Sequence, residues 1–256
     1  AGRRDKAIIA TKCGLVWHTQ KGNHFFDQDG KPVHRYLGRD AIIHEVEESL
    51  RRLRTDYIDL YITHWQDATT PIEETVATLG ELKQAGKIRA IGASNVNRWE
   101  LTRYINAGTL DAIQERFSMI DREIETNLLP LTVTNKVATL SYSSLALGLL
   151  SGTIGPDRIF AGDDQRKSNP RFSVSNRRKA KDFSDAISAI AEQHDASIAQ
   201  VVIAWTLAQP GVTFALCGAR NPKQALDNAQ AGRLRLSAND LVAIDDAIAM
   251  KLVHMD

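Results

Sequence analysis

Residues 57–95 read YIDLYITHWQDATTPIEETVATLGELKQAGKIRAIGASN. The apolar run 57–62 has the length of a buried strand, and 90–93 repeats its character. Between them, 71–85 carries a helical pattern, with Pro71 suited to the first turn and Gly86 to the C-terminal cap. Strand, helix and strand in so short a span make a βαβ unit, which implies a right-handed crossover and parallel strands.

The alternation continues outward on both sides. Upstream, the apolar run 7–10 ends in Thr11-Lys12, and 40–53 places Ile42, Ile43, Val46, Leu50 and Leu53 on one helical face. Downstream come a helix over 97–106 closed by Gly108, a strand from 112–114, a helix over 128–135 and a strand over 137–142. Helices follow at 176–194 and 198–209, then a last strand at 212–216 and helices at 222–231 and 238–250. Six parallel strands suit either a doubly wound sheet or most of an eight-stranded barrel, and periodicity alone does not separate the two. Two connections are long: 14–38 is polar with Gly14, Gly22 and Gly30, and 148–175 carries Arg158, Arg166, Lys167 and Arg171. Both follow strands, which places them at the C-terminal face, and long loops there are usually functional.

Composition narrows the class. With 43% hydrophobic and 25% charged residues in 256, the chain is that of an ordinary globular protein able to bury a core. A formal net charge of +1 gives no bias toward nucleic acid or anionic membrane. Cys13 and Cys217 are too few for a disulfide framework, which fits a reducing, cytoplasmic setting. No run has the length of a membrane span, and the charged start has no apolar segment of a signal peptide behind it.

Polar residues recur where strands end. Lys12, His64, Ser94, Asn95, Gln114, Tyr142, Ser143 and Gly218 all sit there, and a parallel barrel would gather them at one mouth. A Lys lowers the pKa of an ionisable neighbour, and a neutral His can hydrogen-bond a carbonyl oxygen. Hydroxyl and amide groups at Ser94, Asn95 and Gln114 suit a carboxamide-bearing ligand, and Tyr142 offers a flat face for a ring. Each residue alone also suits an ordinary role: solvated charge, structural histidine, helix N-cap. Their recurrence on successive strands is the functional signal.

Residues 50–61 with Thr63-His64-Trp65, residues 86–95, residues 142–152, and the block from Gly218 through Arg220 and Gln224 to Asn228 closely resemble aldo-keto reductase signatures, in that family's order. The resemblance covers nearly the whole chain and is nearest the bacterial, potassium-channel-β-subunit-like branch. It implies an α/β fold, a (β/α)8 barrel, with units three to eight present as one domain over 1–256. It also implies reduction of aldehydes or ketones to alcohols with NAD(P)H and no metal. By that resemblance, Lys12 and His64 are catalytic. Ser94, Asn95 and Gln114 grip the nicotinamide carboxamide and Tyr142 stacks on the ring. Ser143, Leu145 and Leu147 line the pyrophosphate side. Gly218, Arg220, Gln224, Asp227 and Asn228 hold the adenosine end, Asp227 standing where many relatives carry Glu. Arg220 suits a 2′-phosphate and leans the reading toward NADPH. Its positive charge near a helix start favours an anionic partner. The family also uses an Asp and a Tyr on its first two units, which this stretch does not supply; Tyr36 is a conceivable stand-in. A regulatory NADP(H)-binding role and a catalytically impaired fragment are the alternatives.

Trp17 and Trp65 flank the expected mouth as a substrate wall, core or lid packing being the other reading. The partners expected are a small carbonyl compound, with neither nucleic acid nor membrane, and a homo-oligomer is compatible with the sequence. His44-Glu45 lacks a second His at the zincin spacing, and His18, His24 and His34 read as solvated loop histidines. Arg177-Arg178-Lys179 reads as a solvated helix face.

Overall fold

The chain is described by a computed structural model over residues 2–255, as two compact units. The first runs to Glu115 and includes 125–140, and the second holds 116–124 and the chain from Ser141.

In the first unit, β1 (Ala10–Cys13) is followed by β2 (Leu15–Val16), β3 (Asn23–Gln28), β4 (Lys31–Arg35) and α1 (Arg39–Leu53). Then come β5 (Ile58–Thr63), α2 (Ile72–Gln84), β6 (Ile88–Ser94), α3 (Arg98–Ala107) and β7 (Ala112–Arg116). Short helices α4 (Ile124–Asn127) and α5 (Leu129–Asn135) lead to β8 (Ala138–Tyr142), whose last two residues, Ser141 and Tyr142, belong to the second unit. The strands β1, β5, β6 and β7 pair in parallel in that order, so the βαβ reading of 57–95 holds. Ile58, Tyr61 and Ile62 are buried, as are Ile42 and Val46 on the face α1 turns inward. Asn97 caps α3 through a capping box with Glu100, and Gly108 closes it. Pro71 stands one position earlier than expected, as the N-cap of α2, with its carbonyl accepting from the Glu74 and Thr75 amides.

The stretch 14–38 is not a loop. It forms an antiparallel sheet in the order β2-β4-β3, turned at Asp29-Gly30 with both residues at positive φ. Gly22, at φ +82°, is indispensable there, because a Cβ would fall on the Arg35 carbonyl oxygen. Gly22→Ala is therefore expected to cost about 3 kcal/mol in a urea melt; an unchanged midpoint would refute the steric account. The first parallel strand also begins later than the apolar run 7–10. Arg4–Lys6 makes a 3-10 turn that takes up the Ala7 amide, and Ile8 is 88% exposed. The ladder starts where the Ile9 carbonyl accepts from the Asp59 and Leu60 amides.

The second unit adds α6 (Val174–Ala186), α7 (Ser188–Gln193), α8 (Ile198–Ala208), β9 (Phe214–Ala215), α9 (Pro222–Ala231) and α10 (Ala238–Lys251). Its core is α8, where Val201, Val202, Ile203, Ala204 and Trp205 are buried. Trp205 stacks on Phe117 and its Nε1 donates to Asp245 of α10. The helix expected over 176–194 starts earlier, at the Ser173 cap, and breaks at the fully buried Ile187, whose backbone leaves the helical range. The last strand keeps only two of its five expected residues. A turn at Gly211 takes the Val212 amide to the Gln209 carbonyl, leaving Leu216 N to reach Ser141 O on β8. Arg177 departs most from the solvated face expected of it. It is 8% exposed, and its guanidinium donates to the carbonyls of Gly155, Arg158 and Phe172, clamping the long segment 148–175.

Candidate active site

Register brings the strand ends of the first unit together. Lys12 pairs with Ile62 and Cys13 with Thr63, so the next amide, His64 N, donates to Cys13 O at 2.8 Å. Ser94 pairs with Gln114. The Ser94 hydroxyl donates to the Gln114 carbonyl at 2.6 Å. Asn95, at φ +58°, donates through Nδ2 to the His64 carbonyl and to Ser94 Oγ. A left-handed non-glycine residue costs free energy, and such residues cluster where side chains are held for use.

The electrostatics follow from partial burial. Lys12 and His64 are both half-buried. Desolvation lowers the Lys12 ammonium pKa below its ordinary value. Desolvation also lowers His64, and the neighbouring Lys12 charge lowers it further, so the imidazole is neutral near pH 7. A neutral imidazole beside a cation can donate a hydrogen bond to a carbonyl oxygen. Gln114 is 6% exposed, and its carboxamide makes no hydrogen bond among the described residues. It is available to a ligand amide.

Residues that sequence reasoning passed over support this group. Gln66 donates to the Ser94 carbonyl and accepts from the Tyr104 hydroxyl, which also bonds Thr63 Oγ1. Glu115 accepts from the Val96 amide, and burial pushes its carboxyl up to about 8. Glu45 accepts from the Gly14 amide just past Lys12 and Cys13, and burial pushes it up to about 7. For Glu45 the available signal was a carboxylate on the same helical face as Ala41 and Ile42; Glu115, between Gln114 and Arg116, gave none. Trp17 is 64% exposed, whereas Trp65 packs on Phe25 and Arg35. The Tyr36 hydroxyl donates to Asp40, which also binds Lys21, so that group is tied up in a surface cluster. Of the three loop histidines, His34 is buried and packs edge-on to His24, because β4 turns it inward; His18 lies tilted against the His44 ring.

In the second unit, the segment after β8 turns sharply. Ser143, Ala146 and Leu147 all have positive φ, and Gly148 follows at +92°. The turn closes through Ala146 N to Ser143 O and Gly148 N to Leu145 O, leaving Leu147 57% exposed. Such turns present amides to anions. At α9, Asn221 caps the helix, Gln224 Oε1 accepts from the Arg220 amide, and Asn228 donates to the Gly218 carbonyl. Asp227 is held by Gln200 and Ser197 of the α8 start. Asn221, Gln224 and Asn228 shape the loop, while Arg220 is exposed without an ion-pair partner among the described residues. The strand ends of the first unit thus offer amide and hydroxyl groups, and the turn after β8 and the start of α9 in the second offer backbone amides and the Arg220 guanidinium.

Residues 1–249 match the model of the aldo/keto reductase family. This chain belongs to the aldo/keto reductase family. It is 39% identical over 240 residues to the NADH-specific methylglyoxal reductase of Escherichia coli (strain K12), covering 93% of this chain and 73% of that protein. It is 40% identical over 227 residues to an aldo-keto reductase of Bacillus subtilis (strain 168), covering 87% and 64%. The solved glycerol dehydrogenase of Gluconobacter oxydans superposes with a TM-score of 0.87 at 35% identity, covering 96% of this chain and 73% of that one. The chain therefore spans about two-thirds to three-quarters of the length of these relatives. The likeness implies the (β/α)8 barrel for this aldo/keto reductase chain. Nicotinamide cofactors are the family's, and no helix among the described residues is long and apolar enough to cross a membrane.

Proposed function

We propose that this chain forms units three to eight of a single (β/α)8 barrel, in the bacterial, channel-subunit-like branch, and carries the cofactor and carbonyl sites of an NAD(P)H-dependent reductase of small aldehydes or ketones. The observation that carries the reading is the register that sets His64 and Lys12 at adjoining strand ends, with the Gln114 carboxamide, unbonded among the described residues, on the same set of strand ends. Gln114, Ser94 and Asn95 would hold the nicotinamide carboxamide, and Tyr142 would stack on the ring. Ser143, Leu145, Leu147 and Gly218 would line the phosphates, and Arg220, Gln224, Asp227 and Asn228 the adenosine end. The bound cofactor would supply the hydride. His64 donates a hydrogen bond to the carbonyl oxygen and orients it. Lys12 stabilises negative charge developing on oxygen. Trp65, with Trp17 at the rim, walls the substrate. No residue of this chain is assigned the proton donor, a role that the family resemblance gives to a Tyr of the first two units.

The preference for NADPH rests on Arg220, whose exposed fork suits a 2′-phosphate; the Escherichia coli relative is named NADH-specific. Titrating the protein with each cofactor and following Trp fluorescence tests both claims. NADPH is expected to bind more tightly, and Gln114→Ala to weaken both cofactors about tenfold, the loss of a buried amide pair. Failure of both cofactors to bind would overturn the function. Unchanged affinity in Gln114→Ala would overturn only that residue's placement.

A further inference from the structure

Arg35 occupies a position that the roles above do not use. It lies on β4, its backbone fixed between Leu15 and Asn23 by strand pairing. Its guanidinium carbon sits 3.8 Å from the Phe25 ring centroid and 5.0 Å from that of Trp65. The two aromatic rings are themselves 5.5 Å apart, so the cation lies against an aromatic corner. Trp65 in turn stacks with His64, their centroids 6.3 Å apart. The corner is therefore next to the imidazole expected to hold the carbonyl oxygen.

Among the described residues the guanidinium has no hydrogen-bond or ion-pair partner. Its Nε is buried without a hydrogen-bond partner, and no carboxylate among the described residues forms an ion pair with the group. Elsewhere the molecule pairs its partly buried arginines: Arg4 binds Asp59, Arg166 binds Asp164 and Arg171 takes Asp121 through both Nη atoms. A buried, unbonded donor costs free energy unless a ligand satisfies it, and charge makes that cost larger. Stacking on Phe25 and Trp65 holds the plane of the fork, which lowers the ordering cost of a bidentate bond.

We propose that Arg35 is a specificity residue that takes the carboxylate of a carbonyl substrate, so that this reductase favours oxo acids and aldehyde acids over neutral carbonyl compounds. The inference rests on the carbonyl site proposed above and adds the class of substrate. The carboxylate meets the fork through two N–H donors, and the carbonyl end extends past Trp65 toward His64. Phe25 and Trp65 exclude water from the pair, which strengthens it.

4-Carboxybenzaldehyde, whose ring sets the carboxylate apart from the carbonyl, and its neutral methyl ester test the idea as a matched pair, titrated against the protein with intrinsic Trp fluorescence as the signal. The acid is expected to bind at least about tenfold more tightly, with a preference that shrinks as salt rises. Arg35→Met should erase that preference. Should Arg35→Met fail to give a native circular-dichroism spectrum, Arg35→Lys keeps the charge but loses the planar fork, and the preference should fall without vanishing. Equal binding of acid and ester by the wild type, or an undiminished preference in either variant, would overturn the assignment. Cofactor titration of the wild type keeps the two readings apart. Cofactor binding with no acid preference defeats Arg35 alone. An acid preference that tracks Arg35 without cofactor binding defeats the reductase reading and leaves an anion site.

Discussion

Replacing Lys12 by Met in the complete protein is expected to lower kcat/KM for carbonyl reduction about a hundred- to thousand-fold, the range over which one preorganised charge-stabilising group acts, while sparing cofactor affinity. Met retains most of the length and bulk of Lys and removes only the charge. Lys12 sits on β1 one residue before the buried Cys13, whose carbonyl accepts from the His64 amide, so backbone geometry survives the change. The loss should be electrostatic and visible without turnover. Burial lowers His64 first and the Lys12 charge lowers it further. Removing the charge leaves only the burial contribution, so the His64 pKa should rise toward, but stay below, its ordinary 6.5. Because a depressed histidine is neutral above its pKa, the acid limb of the activity profile should shift upward in step. An NMR titration of the imidazole measures this directly. Full activity in Lys12→Met would defeat the catalytic assignment, and an unmoved His64 titration would defeat the electrostatic account.

The parts of this molecule legible in the sequence are those decided locally. Residues 57–95 give β5, α2 and β6 because Ile58, Tyr61, Ile62, Ile88 and Ile91 are buried and the intervening helix has one apolar face. Asn97 with Glu100 announces α3 for the same reason, since a capping box is made within four residues. The strand-end group was legible because a parallel sheet must gather the carboxyl ends of its strands on one side. Asp29-Gly30 was a local signal too, and the antiparallel sheet of 15–35 follows from it. The polar character of that stretch hid it, as only Val16 and Val33 of its apolar residues are fully buried.

What the sequence could not disclose is pairing between distant residues. Arg177 lies in a run of three basic residues and reads as solvated, yet carbonyls as far back as Gly155 desolvate it. Nothing near Asp227 in the sequence announces that Gln200 and Ser197 hold its carboxylate. Arg35 gave no signal at all, because its neighbours Phe25 and Trp65 come from separate segments. Local rules set elements and caps, and tertiary contact then decides which polar side chains remain available.

Glu115 shows how strongly that second step acts, and Glu115→Gln is expected to stabilise the protein at neutral pH. Glu115 is 5% exposed on β7, beside the site residue Gln114, and its Oε1 accepts from the Val96 amide at 2.9 Å. It thereby holds the left-handed turn at Asn95. Burial is the main cause of its raised pKa, about 8 against an ordinary 4.5; the backbone bonds to Val96 and Asn95 oppose the rise and the Glu100 charge adds to it. Between those two values the folded chain holds a proton that the unfolded chain releases, so stability falls as pH rises through the window. The loss is about 3 kcal/mol by pH 7 and 4–5 kcal/mol by pH 9. Gln keeps an oxygen acceptor for the Val96 amide, has nearly the same shape and cannot ionise, so it escapes the loss. Thermal melts of the two proteins should coincide near pH 4 and diverge by roughly 8 °C at pH 7, the variant being the more stable. Parallel melting curves across that range would mean that the Glu115 carboxylate is ionised in the folded protein, and the neutral acid beside Gln114 would have to be abandoned.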